Sequence, residues 1–347
     1  MDIREIFAAR LADLPPSAVD LDRAVNDARH TRRTRRVLAT VAASLCLVVA
    51  ATVAVWGLPG SHAPAPPFAE GRSLREAPGE FNPRVQFAQL DWTPDLLPVR
   101  YIGASISSFH LASRPPTCPL TCGGPATDPD PAGRMSFTAF AAGAGDAMDV
   151  LAGEPVTTPA PAVHGAAAHW ATRSNDSGDT ARLRWQYAPH AWAQVEVRQA
   201  GDPREVAHRI ADGARFATGG LIRLPVTAAL ADQRIESVEL DTGDPWQATV
   251  LYRRAGTLGR DYTSVTVKPG TGHGGATVNT TVDGHPASAD RAVDKTVGHD
   301  QVTVFDVRGL SVTVLATARE PGQMPAEGTA AAVFSGLTLY PDRADWQ

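Results

Sequence analysis

A few groups of side chains in this sequence have types and spacings that could do chemistry. Cys118 and Cys122 enclose Pro-Leu-Thr in a proline-rich stretch. A zinc site needs two further ligands close by, and none follows at metal-site spacing; redox pairs more often have two residues between the thiols. A local disulfide is the natural reading in oxidising surroundings. Asp241-Thr242-Gly243 carries the letters of the aspartic-protease tripeptide. That chemistry needs two carboxylates sharing a proton, and a single copy continued by Asp244-Pro245 reads as a turn between strands. His164 and His169 are five residues apart, which puts them on opposite faces of a strand, so they cannot grip one metal. Trp170, Trp185 and Trp192 cluster along the chain and read as core, with a stacking platform for a ligand as the alternative. Neither a nucleophile elbow, nor a phosphate-cradling glycine loop, nor a zinc-protease helix occurs. These residues imply no catalytic site, no cofactor and no metal, and they point away from an enzyme.

The elements that carry these residues begin with a membrane signal. The chain has 347 residues and a net charge of −5, which argues against nucleic-acid binding by the whole protein. Residues 1–36 run against that balance, with eight Arg to six acids. Arg32, Arg33, Arg35 and Arg36 stand directly before the apolar run 37–58, which has no charged residue. As a helix rising about 1.5 Å per residue, such a run crosses a hydrocarbon core of roughly 30 Å. Positive charge stays on the cytoplasmic side, so a single pass with the amino terminus inside and residues from about 60 onward outside is expected. The arginine cluster is then a topology signal. A cleaved signal peptide is the rival, but its apolar region would be about 7–15 residues, shorter than this one.

Residues 1–36 place Ile3, Ile6, Phe7, Leu11 and Leu14 on one helical face. So short a segment cannot fold alone and needs something to lie against. The inner leaflet of the bilayer is one surface; the groove of a cytoplasmic partner is the other. Residues 59–84, rich in Pro, Gly and Ala, read as a spacer.

Past the spacer, alternating apolar residues predict strands over 85–92, 101–109, 135–141, 182–188 and 192–198, with a helix from Asp202-Pro203 to Phe216. A second series follows: strands over 235–240, 247–253, 262–268, 301–307 and 310–316, a helix over 327–335 and a last strand over 337–340. Tight turns are expected at Pro189-His190 and Arg308-Gly309. Val163-His164-Gly165 precedes the first hairpin as Val282-Asp283-Gly284 precedes the second. This agreement predicts a duplication: an α+β fold of two repeated antiparallel sheet-plus-helix modules, 85–224 and 225–347, after one transmembrane helix.

The recurring order of a V-x-G turn, alternating strand, turn, strand and amphipathic helix resembles a bacterial extracytoplasmic family of unknown function (DUF4367-like). Gly165, Ala168, Trp185 and Val195–Val197 carry the likeness in the first copy; Gly284, Ala287, Val304 and Val312–Val314 carry it in the second. The second copy departs in having Val304 and Phe305 where Trp is expected. The arginine-rich lead, the single span and two Lys against 30 Arg are similar to high-GC actinobacterial membrane proteins encoded with extracytoplasmic-function sigma factors. The resemblance implies a signalling role without enzyme activity. The expected protein is therefore a membrane-anchored extracytoplasmic binding or sensory protein, facing an envelope ligand or an extracytoplasmic protein. The first alternative is an anti-sigma-type regulator holding a sigma factor through residues 1–36; the second is a cell-envelope hydrolase.

Overall fold

The computed structural model describes residues 72–114, 133–144, 156–172, 178–198, 201–254, 261–273, 275–294, 297–318 and 323–347. The lead 1–36 with its four clustered arginines, the apolar run 37–58, and Cys118 and Cys122 lie outside the described residues.

Alternation of apolar and polar residues drives most of the described chain into strands. The first half runs β1 (Val85–Leu90), β2 (Tyr101–Ser105), β3 (Ser108–Ala112), β4 (Arg134–Phe140), β5 (Val156–Val163), β6 (Ala166–Thr172), β7 (Thr180–Ala188), β8 (Ala191–Arg198), α1 (Pro203–Asp212) and β9 (Ala214–Leu221). The second runs β10 (Val226–Ala228), β11 (Gln233–Asp241), β12 (Gln247–Arg254), β13 (Tyr262–Pro269), β14 (Thr280–Val282), β15 (His285–Asp294), β16 (Val297–Val307), β17 (Leu310–Thr317), α2 (Thr329–Ser335) and β18 (Leu337–Leu339).

Fourteen of these strands form one sheet, ordered β14-β15-β16-β17-β13-β12-β11-β2-β3-β4-β8-β7-β6-β5. From the middle outwards each side reads the same way, so β2-β3-β4-β8-β7-β6-β5 matches β11-β12-β13-β17-β16-β15-β14. Registers match too: Ala168 opposes Trp185 as Ala287 opposes Val304, and Leu183 opposes Val195 as Val302 opposes Val314. Each half also has a small two-stranded sheet, β1-β9 or β10-β18, that closes on the strand after its helix.

One face of the large sheet is packed. Met135, Phe137 and Ala139 on β4 and Ala193, Val195 and Val197 on β8 are fully buried, as are Val265 and Val267 on β13 and Val312 and Val314 on β17. Helix α1 covers this face in the first half with Ala207, Ile210 and Ala211. Asp202 caps it by accepting from the N–H groups of Arg204 and Glu205 at 3.0 and 3.2 Å, and Pro203 opens it. Helix α2 does the same with Ala330 and Phe334; its Ala330 N–H donates to the buried Asp300 carboxylate at 2.9 Å. Aromatic rings fill the first half, where Tyr187 stacks on Phe216 at 4.3 Å between ring centres. Valines fill most of the same layer in the second.

The expectation of an α+β fold is corrected by this arrangement. Among the described residues the fold is mainly β, with two short α-helices, and fourteen strands drawn from both halves form one continuous sheet rather than two separate sheet-plus-helix units. The reason lies at β2 and β11. Ile102 and Ala104 face the core opposite Leu240 and Val238, so the apolar face runs unbroken from one half into the other and two edges disappear into a ladder. The helices are also shorter than expected: the first stops at Gly213, and 214–221 turns back as a strand. Among the described residues no helix is long and apolar enough to cross a membrane.

Gly103 lies at the centre of that join, opposite Glu239. A Cβ there would sit 3.0 Å from Cε1 of Tyr101 and 3.1 Å from its phenolic oxygen. Gly103→Val is expected to displace the Tyr101 ring and cost about 1–3 kcal/mol. Urea unfolding of the full chain in detergent checks this; an unchanged midpoint would mean the ring yields freely.

Candidate functional site

The second face of the sheet is polar. Tyr101, His110, Ser136, Thr138, Arg182, Arg184, Gln194 and Glu196 all point to it, because each alternates with a residue of the packed face. In the first half of that face Arg182, with a side chain only 2% exposed, forks onto Glu196 through Nε and Nη2, both at 3.0 Å. Arg198 grips the other carboxylate oxygen at 2.8 Å. Burial alone would raise the Glu196 pKa, but the two guanidiniums and their hydrogen bonds hold it below the usual carboxylate value. His110 Nδ1 meets the Thr138 hydroxyl at 2.8 Å, and burial pushes its pKa from the usual 6.5 down to about 4. Tyr101 is raised above the ordinary phenol value, by burial first and then by the carboxylates of Glu239 and Asp241.

The three tryptophans do not share one surface. Trp185 is 1% exposed on the packed face, against Phe137 at 6.3 Å. Trp170, 7% exposed, lies on that face too, with the Arg204 guanidinium 5.3 Å from its ring centre. Trp192 opposes Gln186 and so points to the polar face, where it meets His169 edge-on at 5.5 Å and Arg184 at 5.3 Å. Asp241 ends β11 and closes a turn by accepting the Gly243 N–H at 2.8 Å.

A site that sequence reasoning missed lies where the β5–β6 turn, the end of the β7–β8 hairpin and the end of α1 converge. His164 and Gly165 take φ values of 51° and 82°, both in the left-handed region that a two-residue hairpin turn requires. The turn holds the His164 ring between two backbone carbonyls: Nδ1 is 3.1 Å from the Arg72 oxygen and Nε2 is 2.7 Å from the Asp212 oxygen. The Leu74 N–H donates to the Tyr187 oxygen at 2.9 Å, and Asp91 pairs with both Arg72 and Arg215. The spacer segment is thereby bound as a peptide, through its main chain, with the Leu74 side chain packed on the core. Beside it a groove of about 550 Å³ is lined by Leu74, Ala166, His169, Tyr187, Pro189 and Trp192. The signal in the sequence was the V-x-G pair itself, which differs between the halves at its middle residue.

His110 and Glu196 make stability acid-sensitive. Between pH 6.5 and 4 the unfolded chain takes up a proton on His110 that the folded chain refuses, so stability falls as pH falls through that window. Glu196, with its lowered pKa, acts in the same direction further down. The His110 share should be on the order of 2 kcal/mol after solvent screening at a partly open site. Urea unfolding at pH 7.5 and 4.5 measures it, and His110→Asn should flatten the difference.

No protein-family model matches the chain, and no curated protein matches it. Among solved structures, MucB in complex with MucA(peri) is 10% identical and the MucA/MucB complex of Pseudomonas aeruginosa is 11% identical. Each covers 70% of this chain and 92% of its own, with a TM-score of 0.23. At that score the likeness carries no argument.

Proposed function

We propose that the chain is a membrane-anchored extracytoplasmic binding protein that recognises polypeptide segments and has no catalytic role. One observation carries the binding part: the turn and hairpin ends of the fold hold the segment Arg72–Leu74 by its backbone, through His164 and Tyr187, with a leucine as the side-chain anchor. Strands and turns that grip a main chain this way suit recognition of peptide over small-molecule chemistry. The charged groups on the polar face support the same reading, since Arg182, Glu196 and Arg198 are bound to one another.

The location rests on the sequence. Residues 37–58 hold the chain at the bilayer, Arg32, Arg33, Arg35 and Arg36 keep the lead inside, and the described body lies outside. A second reading gives the lead a cytoplasmic role. The stripe Ile3, Ile6, Phe7, Leu11 and Leu14 suits a helix held in a partner's groove, and the partner class is a sigma factor.

Spheroplasts of cells expressing the chain with an amino-terminal tag test the location. External protease should degrade the body and leave a small tagged fragment, and replacing the four arginines with glutamines should scramble that pattern. A body protected in intact spheroplasts but cut after lysis would overturn the reading.

A further inference from the structure

The two halves share one strand order but treat one position differently. In the first half, Arg72–Leu74 lies over the His164 turn, the Tyr187–Ala188 hairpin end and the end of α1. By register, Asp283 stands for His164, Asp306 for Tyr187, Val307 for Ala188 and Arg308 for Pro189. Both helices stop at a glycine, Gly213 or Gly336, followed by a strand that pairs with its half's first strand. Ser335 and Leu337 therefore stand for Asp212 and Ala214.

Of these second-half residues Asp283, Val307, Arg308, Ser335 and Leu337 line a groove of about 300 Å³. Its apolar wall is Val307, Phe334, Leu337 and Leu339, continuous with the core. Its polar lining is Asp283 and Arg308, of opposite charge, with His285, Ser335 and Thr338. The chain that leads into β10 comes directly from β9, so the second half has no spacer of its own to lay in the groove.

We infer that this groove takes a short segment of a partner polypeptide bearing a basic residue and, two positions on, a leucine-sized apolar residue, as Arg72-Ser73-Leu74 does in the first half; the inference rests on the polypeptide-binding reading above. The guest leucine packs on Phe334, Val307 and Leu339. The guest cation faces Asp283, which stands where His164 meets the Arg72 carbonyl in the first half; the Arg72 guanidinium itself pairs there with another carboxylate, Asp91. This exchange of a hydrogen-bond donor for a carboxylate turns a site for the chain's own backbone into one that selects positive charge.

The test uses the full chain in detergent micelles and a fluorescein-labelled peptide, Gly-Arg-Ser-Leu-Arg-Glu-Ala-Pro. Saturable binding is expected. Replacing the peptide's leucine by aspartate, or its first arginine by glutamate, should weaken it about tenfold or more. Ser335→Trp, at an exposed helix end lining the groove, should weaken it similarly, and Asp283→Asn, which tolerates the turn's positive φ, about fivefold. Thr157→Ser, at an exposed position on β5 away from both grooves, should leave the affinity within about twofold. Absence of saturable binding overturns the inference, as does binding that Ser335→Trp leaves intact. So does sedimentation showing that a second copy fills the groove, seen as a dimer that the peptide dissociates. A body found on the cytoplasmic side in the protease experiment would remove the proposed location without touching the peptide affinity. Lost peptide binding with an externally cut body would remove the groove alone.

Discussion

The antiparallel pairing of β2 with β11 is the interaction on which the remaining architecture rests. Each half of the chain makes a seven-stranded sheet whose β2 or β11 would otherwise expose a row of unpaired backbone groups. Because β2 and β11 are the equivalent strand in each half, joining them antiparallel makes a local two-fold relation near Gly103 and Glu239. The outer edges are guarded differently: β5 carries Pro159 and Pro161, which cannot donate to a further strand, and β14 is three residues long. The ladder can therefore close in the middle and stop at both ends.

Once the halves are fused, selection acts on equivalent positions under different surroundings. The aromatic layer around Tyr187 and Phe216 has no match in the valine layer of β16 and β17, although both lie under a short helix. A similar divergence at the V-x-G turns gives His164 in one half and Asp283 in the other with almost the same backbone, φ of 51° and 49°. Glycine at the second turn position is fixed by φ near 82° in both, a value that side chains rarely adopt. The first turn position is thus free to vary in chemistry while its direction is held.

Local rules made much of this legible. Asp202-Pro203 marks a capped helix start, and the two-residue turns at Pro189-His190 and Arg308-Gly309 carry their hairpins where turn chemistry puts them. The stretch 101–109 reads as one strand because its alternation runs on, yet it breaks into β2 and β3. Ser105 makes the difference: its hydroxyl receives the Ser107 and Ser108 N–H groups at 3.3 and 3.0 Å and closes the turn. The face of Trp192 was also within reach, since a two-residue turn sets the register that places it opposite Gln186 and away from Trp185. The join of β2 to β11 was not, because pairing across more than a hundred residues leaves no periodic trace; either strand looks the same as an edge or as an interior member.

The division of labour between the two faces favours the hairpin ends over the polar face for the binding we propose. On the polar face, Arg182 is deeply buried and its charge is met by Glu196, which Arg198 also holds. A partner docking there would have to exchange bonds already made in a partly desolvated setting, with little net gain. At the hairpin ends the ladder runs out, so main-chain carbonyls such as that of Tyr187 turn toward a neighbouring segment. Apolar core side chains surface beside them, Phe334 and Val307 in one half and Leu74 on Tyr187 in the other. Backbone acceptors next to an apolar floor are what a peptide needs and a soluble ion does not. The recognition we propose thus falls where the fold's own regular hydrogen bonding ends.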